Sequence, residues 1–403
     1  MASSHEAPRH LVLVGGGHSH VEVLREWAHE PAPGVRLSVV SDGPRAVYSG
    51  MVPGFVAGQY RLEEIEIDVE ALARKAGAAW LDTRATGLDI RARRLHVHGA
   101  ASLAYETVSF DVGSTVSGLD RPGVKQHSLP TRPIGDFAHR IDALVERARG
   151  RSALRLIVVG AGAGGVELAF AFRARLGRQP SVLLLEQGPR ALPGYPDSAA
   201  RRIERNAGAR RIEIRCDSAV AEAHGDRLVL ESGETVGCDV LVWVAGSTSL
   251  PFFDGTGLER DDRGFVKVRP TLQAMGHDEI FATGDCASLV TDTRLPKAGV
   301  YAVRQGPVLA HNLKAHAAGR PLRAYRPQRD FLSLLNLGDG RAIAVKWGFS
   351  AEGGWAWRLK DAIDRRLGVG KNAALANLLH HTDYGVEVTF LVQLAKFEPL
   401  AQR

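Results

Sequence analysis

Two clusters of glycine, each followed at a fixed remove by a polar or acidic residue, give this sequence a definable chemistry. Gly160, Gly162 and Gly165, with Ala163 and Gly164 between them, follow the apolar run 156–159, and a second apolar run, 182–185, ends on Glu186. Strand, glycine turn, helix, strand and carboxylate in that order form a dinucleotide cradle. The first glycine permits the tight turn, the second lets the backbone approach a pyrophosphate, and the third lets helix and strand pack closely. The helix start offers free N–H groups and a partial positive charge to the phosphates. Glu186 is placed to bond the adenosine ribose and to repel a 2′-phosphate, which favours NADH over NADPH; Arg190 nearby works against that preference.

The pattern occurs twice. Gly15, Gly16 and Gly17, with His18, Ser19 and His20, follow the apolar run 11–14, and His20 stands where the third glycine belongs. The helix–strand contact is expected to be looser there. The strand 35–40 ends at Ser41 and Asp42, so the ribose position falls on Ser41 and the acid comes one residue late. The copies continue in parallel, each with a meander of short strands (86–90, 94–98 and 108–112; 218–223, 227–230 and 240–244) closing at Gly113 and Gly246 respectively. One supersecondary plan used twice implies two nucleotide cofactors.

The rest of the chain must position these turns. Segment 48–58 is dense in Gly and Pro and reads as a loop over the reactive end of a cofactor, with Arg45, Ser49 and Gly50 as contacts. Alternation over 64–69 suggests a half-exposed strand, with Asp68 capping a short helix. A basic helix is expected at 138–149, a strand at 264–268, another ending in Gly-Asp at Asp285, and a helix at 300–317. A hairpin over 332–347 precedes an amphipathic helix from Trp355 to Leu367. Trp355, Leu359, Ala362, Ile363 and Leu367 share its apolar face, and Arg358, Lys360, Asp361, Asp364 and Arg365 lie elsewhere on it.

Composition narrows the class. A chain of 403 residues, 45% hydrophobic and 24% charged, has room for two or three domains with real cores. The net charge of +6 mildly favours anionic ligands, but no Lys/Arg tract is interleaved with aromatics, which argues against nucleic acid. Cys216, Cys238 and Cys286 form no CxxC or CxxxxC pair, so a redox disulfide is not expected, and a reducing, cytoplasmic compartment is. Cys286 reads as a small buried residue. His18 and His20 point to different helix faces, and neither they nor His380-His381 make a metal site. The start of the sequence does not read as a signal peptide, and no uncharged apolar stretch is long enough to span a bilayer.

The stretches LVLVGGGHSHVEVL, YSGMVPGFVAGQY, IFATGDCAS and LPKAGVYAVRQGPVLAHNL resemble the pyridine nucleotide–disulfide oxidoreductases. Within them the chain is most similar to the flavoprotein domain fused in front of selenophosphate synthase, and more distantly to type II NADH dehydrogenases. The resemblance implies an α/β protein with two Rossmann-like, three-layer ββα dinucleotide-binding domains and a small C-terminal α+β region. It divides the chain into an FAD domain (1–125 and 256–325), an NAD(P) domain (126–255) and a C-terminal region (326–403). FAD is expected at the first turn and NADH at the second. Asp285 would hold the ribityl or pyrophosphate end, and Lys297, Ala298 and Gly299 would face the flavin pyrimidine ring.

Two residues are candidates for the chemistry itself. Glu167, read as lying in the first helical turn beyond the second glycine motif, either orients the nicotinamide or is a helix-start carboxylate stabilised by the dipole. Lys297 either offsets the negative charge of reduced flavin or is an exposed loop lysine. The expected activity is transfer of a hydride from NAD(P)H to FAD and on to a small acceptor. The alternatives are a quinone reductase at the membrane surface, peripheral to the inner membrane through the helix from Trp355 to Leu367, and a flavin-binding partner with little turnover. Against the quinone reading, the glutamine-bearing motif of those enzymes falls on GVYAVR, 299–304, which lacks the glutamines. Packing on the protein's own sheet is the plainer account of the helix. Oligomeric state is not readable.

Overall fold

The computed structural model describes residues 8–148, 151 and 153–368. The chain forms two compact units. One contains the segment up to Ser49, Ile67–His139 and Ala245–Arg329; the other contains Gly50–Glu66, Arg140–Val244 and the segment from Asp330. Four helices matter most to the site: α1 (His18–His29), α2 (Ala163–Leu176), α3 (Gly299–Ala317) and α4 (Gly354–Gly368).

In the first unit a parallel sheet has the order Ile280–Ala282, Thr107–Phe110, Arg9–Val14, Val35–Ser41, Ala79–Asp82. α1 buries Val21, Val23, Leu24 and Trp27, each stabilising the fold by about 1.5–3 kcal/mol. In the second unit Val240–Trp243, Arg155–Val159, Ser181–Leu185 and Ile212–Arg215 lie side by side and parallel. Four of the five residues of Arg155–Val159 are buried, the near-continuous apolar run of a strand covered on both faces. Each unit also holds a three-stranded antiparallel sheet, at 85–104 and 220–237. The doubly used α/β plan is therefore present, with one adjustment: the last strand of each expected meander leaves it and joins the parallel sheet beside the glycine-turn strand.

The first glycine of each turn explains its own identity. Gly15 has φ 93° and Gly160 has φ 104°, backbone that a residue with a Cβ adopts only under strain. The amide of each bonds across to the next strand, Gly15 to Val40 O and Gly160 to Leu185 O, both at 2.8 Å. This fixes where the helix that follows must start.

Several expectations need correction. Segment 48–58 is not a loop: Ser49–Met51 is a 3-10 turn and Val52–Val56 a short helix. Pro53 stands at a helix start, where it is tolerated, and burial of Met51, Phe55 and Val56 outweighs the glycines. Segment 64–69 is helical over Leu62–Ile65 and extended only over Glu66–Asp68. Asp68 does cap the following helix, accepting from Ala71 N at 2.8 Å. The hairpin gains a third strand, Phe349–Gly353, paired to Ala342–Lys346.

The amphipathic helix is present as α4, but its buried line is Ala356, Lys360 and Asp364; Leu359 and Ile363 are half-buried and Ala362 exposed. Trp355 and Trp357 pack on its own sheet beside Ala342, Ala344, Leu332 and Leu334. His380 and His381 lie outside the described residues.

Candidate functional site

The first glycine turn is held from its floor by one carboxylate. Asp111, at the end of strand Thr107–Phe110, is 4% exposed. Its Oδ2 accepts from Ser19 N at 2.8 Å and His20 N at 3.3 Å, two amides in the first turn of α1. Its backbone oxygen accepts from Gly17 N at 3.2 Å. A Cβ on Gly17 would collide with the carboxyl group, so the second glycine of this turn is required by Asp111. Burial pushes the Asp111 carboxyl up to about 7, although the Ser19 and His20 amides favour its charged form.

At His20, where a looser helix–strand contact is expected, the side chain itself fills the space. It is fully buried, with Nδ1 2.7 Å from Gly15 O and Nε2 2.9 Å from Ser109 Oγ. Burial lowers its pKa to about 4, so the ring is neutral. Nδ1 then donates to the carbonyl, which can only accept, and Nε2 accepts from the hydroxyl. In the second turn the equivalent Gly165 has no room for a Cβ, which would run into Gly160 O. The imidazole thus replaces a backbone contact by two hydrogen bonds. Ser19 donates to Ala302 O at 2.7 Å, tying α1 to the start of α3. His18 stacks edge-on against Tyr48 with ring centroids 5.1 Å apart, and its buried Nε2 has no hydrogen-bond partner among the described residues.

The Gly-Asp motif closes this cradle. Asp285 pairs with Arg132 at 2.7 Å and accepts from Ser114 Oγ at 3.3 Å, next to Gly113; Arg132 also reaches Ser114. Gly284 N donates to Gln305 Oε1 at 2.7 Å, which anchors the motif to α3. Lys297 is neither free nor exposed. It donates to Ala287 O and sits 3.8 Å from the centre of the Phe265 ring. Burial pulls its pKa down to about 8 against the opposing effect of Asp285. Ala298 caps α3 and Gly299 opens it, where a Cβ would lie 3.5 Å from Ser49 Oγ. Ser41 is half-buried, while Asp42 is exposed and paired with Arg84; Arg45 is exposed on the strand Arg45–Val47. Gly246 abuts Ser117, and the segments after Gly113 and Gly246 pair at Thr115 and Thr248.

The glycine turn, an unpartnered imidazole nitrogen and the start of α1 fit a phosphate-bearing ligand at this end of the first sheet.

In the second turn Gly162 caps α2, whose first turn contains Ala163, Gly164 and Gly165. Glu186 closes the turn with both oxygens, Oε2 accepting from Ala161 N at 2.7 Å and Oε1 from Gly188 N at 2.9 Å. Arg190 is turned away onto Asp197 and the carbonyls of Leu192 and Tyr195.

Glu167 corrects the sequence expectation. α2 has no acid in its first turn, and the helix-end field has faded by the position of Glu167. Its carboxylate instead accepts from Asn336 N at 2.8 Å and lies 4.0 Å from Lys360 Nζ. Lys360 also pairs with Asp364 at 3.0 Å and donates to Gly50 O at 2.9 Å. Burial raises Glu167 to about 6, moderated by Lys360. Burial also pulls Lys360 down, but the Asp364 and Glu167 carboxylates outweigh that and hold it above its ordinary value.

Asp111, Arg132, Gln305, Asn336, Lys360 and Asp364 were not singled out by motif. Asp111 had a signal, an acid closing an apolar strand; Lys360 and Asp364 looked like an ordinary exposed i,i+4 pair.

Among the described residues no helix is long and apolar enough to cross a membrane. The family model for the pyridine nucleotide-disulphide oxidoreductases matches residues 9–311. A demethylphylloquinone reductase of Synechocystis is 24% identical over 344 residues, covering 81% of this chain and 84% of the relative. A type II NADH:quinone oxidoreductase of Staphylococcus epidermidis is 23% identical over 391 residues, covering 88% and 94%.

Among solved structures, the sulfide:quinone oxidoreductase of Aquifex aeolicus superposes with a TM-score of 0.75 at 16% identity, covering 90% of this chain and 92% of that one. The NDH2 of Plasmodium falciparum in complex with NADH gives 0.73 at 13%, covering 89% and 97%. These relatives include the type that the sequence resembled only distantly. With its two glycine turns and that family match, the chain belongs to the pyridine nucleotide-disulphide oxidoreductases, and it is an FAD-dependent NAD(P)H oxidoreductase.

Proposed function

We propose that the electron acceptor is a quinone. The carrying observation is the buried Glu167–Lys360 pair, a carboxyl near pKa 6 on the helix that begins at the second glycine turn beside an ammonium on α4. Reducing a quinone to its quinol consumes two electrons and two protons, and a group poised near the working pH can hand over one of them. Bound FAD supplies the two-electron step between nicotinamide and acceptor. Thiol chemistry has no support. Burial pushes Cys238 and Cys286 up to about 12, and all three cysteines of the sequence are unpaired. The named quinone reductases among the relatives support the same reading.

The chain's own residues position and tune. The Gly15–Gly17 turn and Asp285 hold FAD; Gly160–Gly165 and Glu186 hold NADH; Glu167 orients the nicotinamide end and manages the proton, with Lys360 setting its charge. Lys297 offsets charge that develops on the flavin ring. The alternation of FAD and NAD(P) parts along the chain, expected from the sequence, is part of this proposal.

The test is anaerobic reduction of the bound flavin by NADH in stopped flow, followed by mixing with menaquinone or ubiquinone analogues. Rapid reoxidation by quinone is expected. Reoxidation by artificial acceptors but by no quinone would overturn the assignment.

A place at the membrane surface is favoured by one specific feature. Trp347 and Phe349 are 42% and 79% exposed at the turn of the C-terminal hairpin, next to Lys346. Paired aromatics beside a cation suit a lipid interface. α4 itself packs on the sheet, so the turn, rather than the helix, makes this contact. Co-sedimentation with anionic liposomes is expected, and it should be lost in Trp347→Ser/Phe349→Ser. Equal sedimentation of both proteins would remove this reading.

A further inference from the structure

We propose that Asp111 takes up one proton when FAD occupies the first glycine turn, so that cofactor retention depends on pH through this single carboxyl. The inference rests on FAD binding at that turn and is independent of the acceptor.

The geometry sets two anions against one helix end. The Asp111 carboxylate already occupies the Ser19 and His20 amides and lies against Gly17, the glycine through which the backbone approaches a pyrophosphate. It also presses on the Gly-Asp motif, since a Cβ on Gly284 would come 2.5 Å from its Oδ1. Gly17 is therefore a glycine because of this side chain, and at Gly284 the side chain adds to a positive φ of 64°. An incoming pyrophosphate brings further negative charge into a buried site, and like charges there favour neutralising the weaker acid. Pyrophosphate esters stay ionised, so the carboxylate accepts the proton. The proton comes from solvent, an O–H bond forms on Asp111, and the group becomes a donor.

The surroundings leave Asp111 as the responsive group. Asp285, on the turn Gly284–Cys286, adds negative charge and is paired with Arg132. His18 and His20 on α1 are both held neutral by burial, near 4, and Cys286 is a neutral thiol. Asp111 itself is poised near 7 before any phosphate arrives. Lys297 is the competing candidate. It falls to about 8, and losing its charge would weaken an anionic cofactor in the same direction.

Equilibrium release of FAD from the diluted holoprotein, read by flavin fluorescence between pH 6 and 9.5, decides the matter. With one proton taken up, Kd is expected to weaken about tenfold per pH unit above roughly pH 7.5 and to level off below it. Asp111→Asn keeps an acceptor for Ser19 N and should bind with no such slope, more tightly than the wild type at pH 9. Lys297→Met should retain the slope. A flat wild-type profile overturns the proposal whether or not the asparagine variant folds. So does a slope that survives Asp111→Asn, or one that disappears in Lys297→Met.

Discussion

Replacing Lys360 with Met removes the one ammonium that faces both Glu167 and Asp364 in the described structure. The two carboxylates are 12% and 6% exposed, and Lys360 Nζ lies 4.0 Å and 3.0 Å from them. Breaking a buried pair by deleting one partner costs about 3–5 kcal/mol, because the remaining charge stays buried. Part of that cost depends on pH. Glu167 has moved from its ordinary 4.5 to about 6, so its ionised form is already about 2 kcal/mol less favourable in the folded protein. In the wild type, the folded state holds the Glu167 proton longer than the unfolded chain does. Stability from this group is therefore greatest below pH 4.5 and is lost as pH rises through about 6. Without Lys360 the Glu167 pKa climbs further and the loss extends to higher pH. Urea unfolding of the holoprotein, followed by far-UV circular dichroism, should show a deficit of about 3–5 kcal/mol at pH 8. At pH 5, where Glu167 is protonated in both proteins, the deficit should shrink by about 1.4 kcal/mol for each unit by which the variant's Glu167 pKa exceeds the wild type's. Adding Glu167→Gln should recover part of the loss at pH 8. An equal deficit at both pH values, or no recovery in the double variant, would refute the charge balance described here.

Glu186→Ala leaves the Ala161 and Gly188 amides without their acceptor. It should reduce kcat/KM for NADH about tenfold or more, the scale of a lost charge-assisted bond, and narrow the preference over NADPH. A wild-type preference for NADPH in the same steady-state assay would contradict the role given to Glu186. Lys297→Met should lower the flavin reduction potential below pH 8, and the two proteins should converge above it as Lys297 loses its proton. Spectroelectrochemistry across pH 6–9.5 measures this, and coincident potentials at pH 7 would take Lys297 out of the flavin environment. Gly306→Ala places a Cβ 2.7 Å from Glu22 Cβ, where α3 meets α1. It should destabilise the protein by about 1–3 kcal/mol through overpacking, seen as a lower Tm with FAD bound.

The parts of the fold legible in the sequence are those whose cause is local. Both glycine turns could be read because a positive φ at Gly15 and Gly160, and an apolar run on either side, need no distant partner to be recognised. Segment 48–58 was misread for the opposite reason. Its glycines and proline are local turn signals, whereas the burial of Met51, Phe55 and Val56 that holds it helical comes from the tertiary fold. Strand Phe349–Gly353 had no periodic signal: it is an edge strand, with Phe349 mostly exposed and its order supplied by pairing to Ala342–Lys346.

The site divides along the same line. Gly160–Gly165 and Glu186 are spaced along one strand–helix–strand unit, so their chemistry survives in the sequence alone. Glu167 is legible from its place after that motif, but its contacts are not, since Asn336 and Lys360 are far away in the sequence. An i,i+4 acid–base pair such as Lys360 and Asp364 has the same spacing on a solvated face as on a buried one. The apolar residues of α4 made the other face look like the inside. A helix whose polar line is buried and whose apolar line is half-buried has its orientation set by charge as well as by hydrophobicity. Lys360 is held by Gly50 O, Glu167 and Asp364 together, and moving its ammonium out would leave two carboxylates buried without it, about 3–5 kcal/mol against the roughly 1.5–3 kcal/mol that fully burying Leu359 or Ile363 would return.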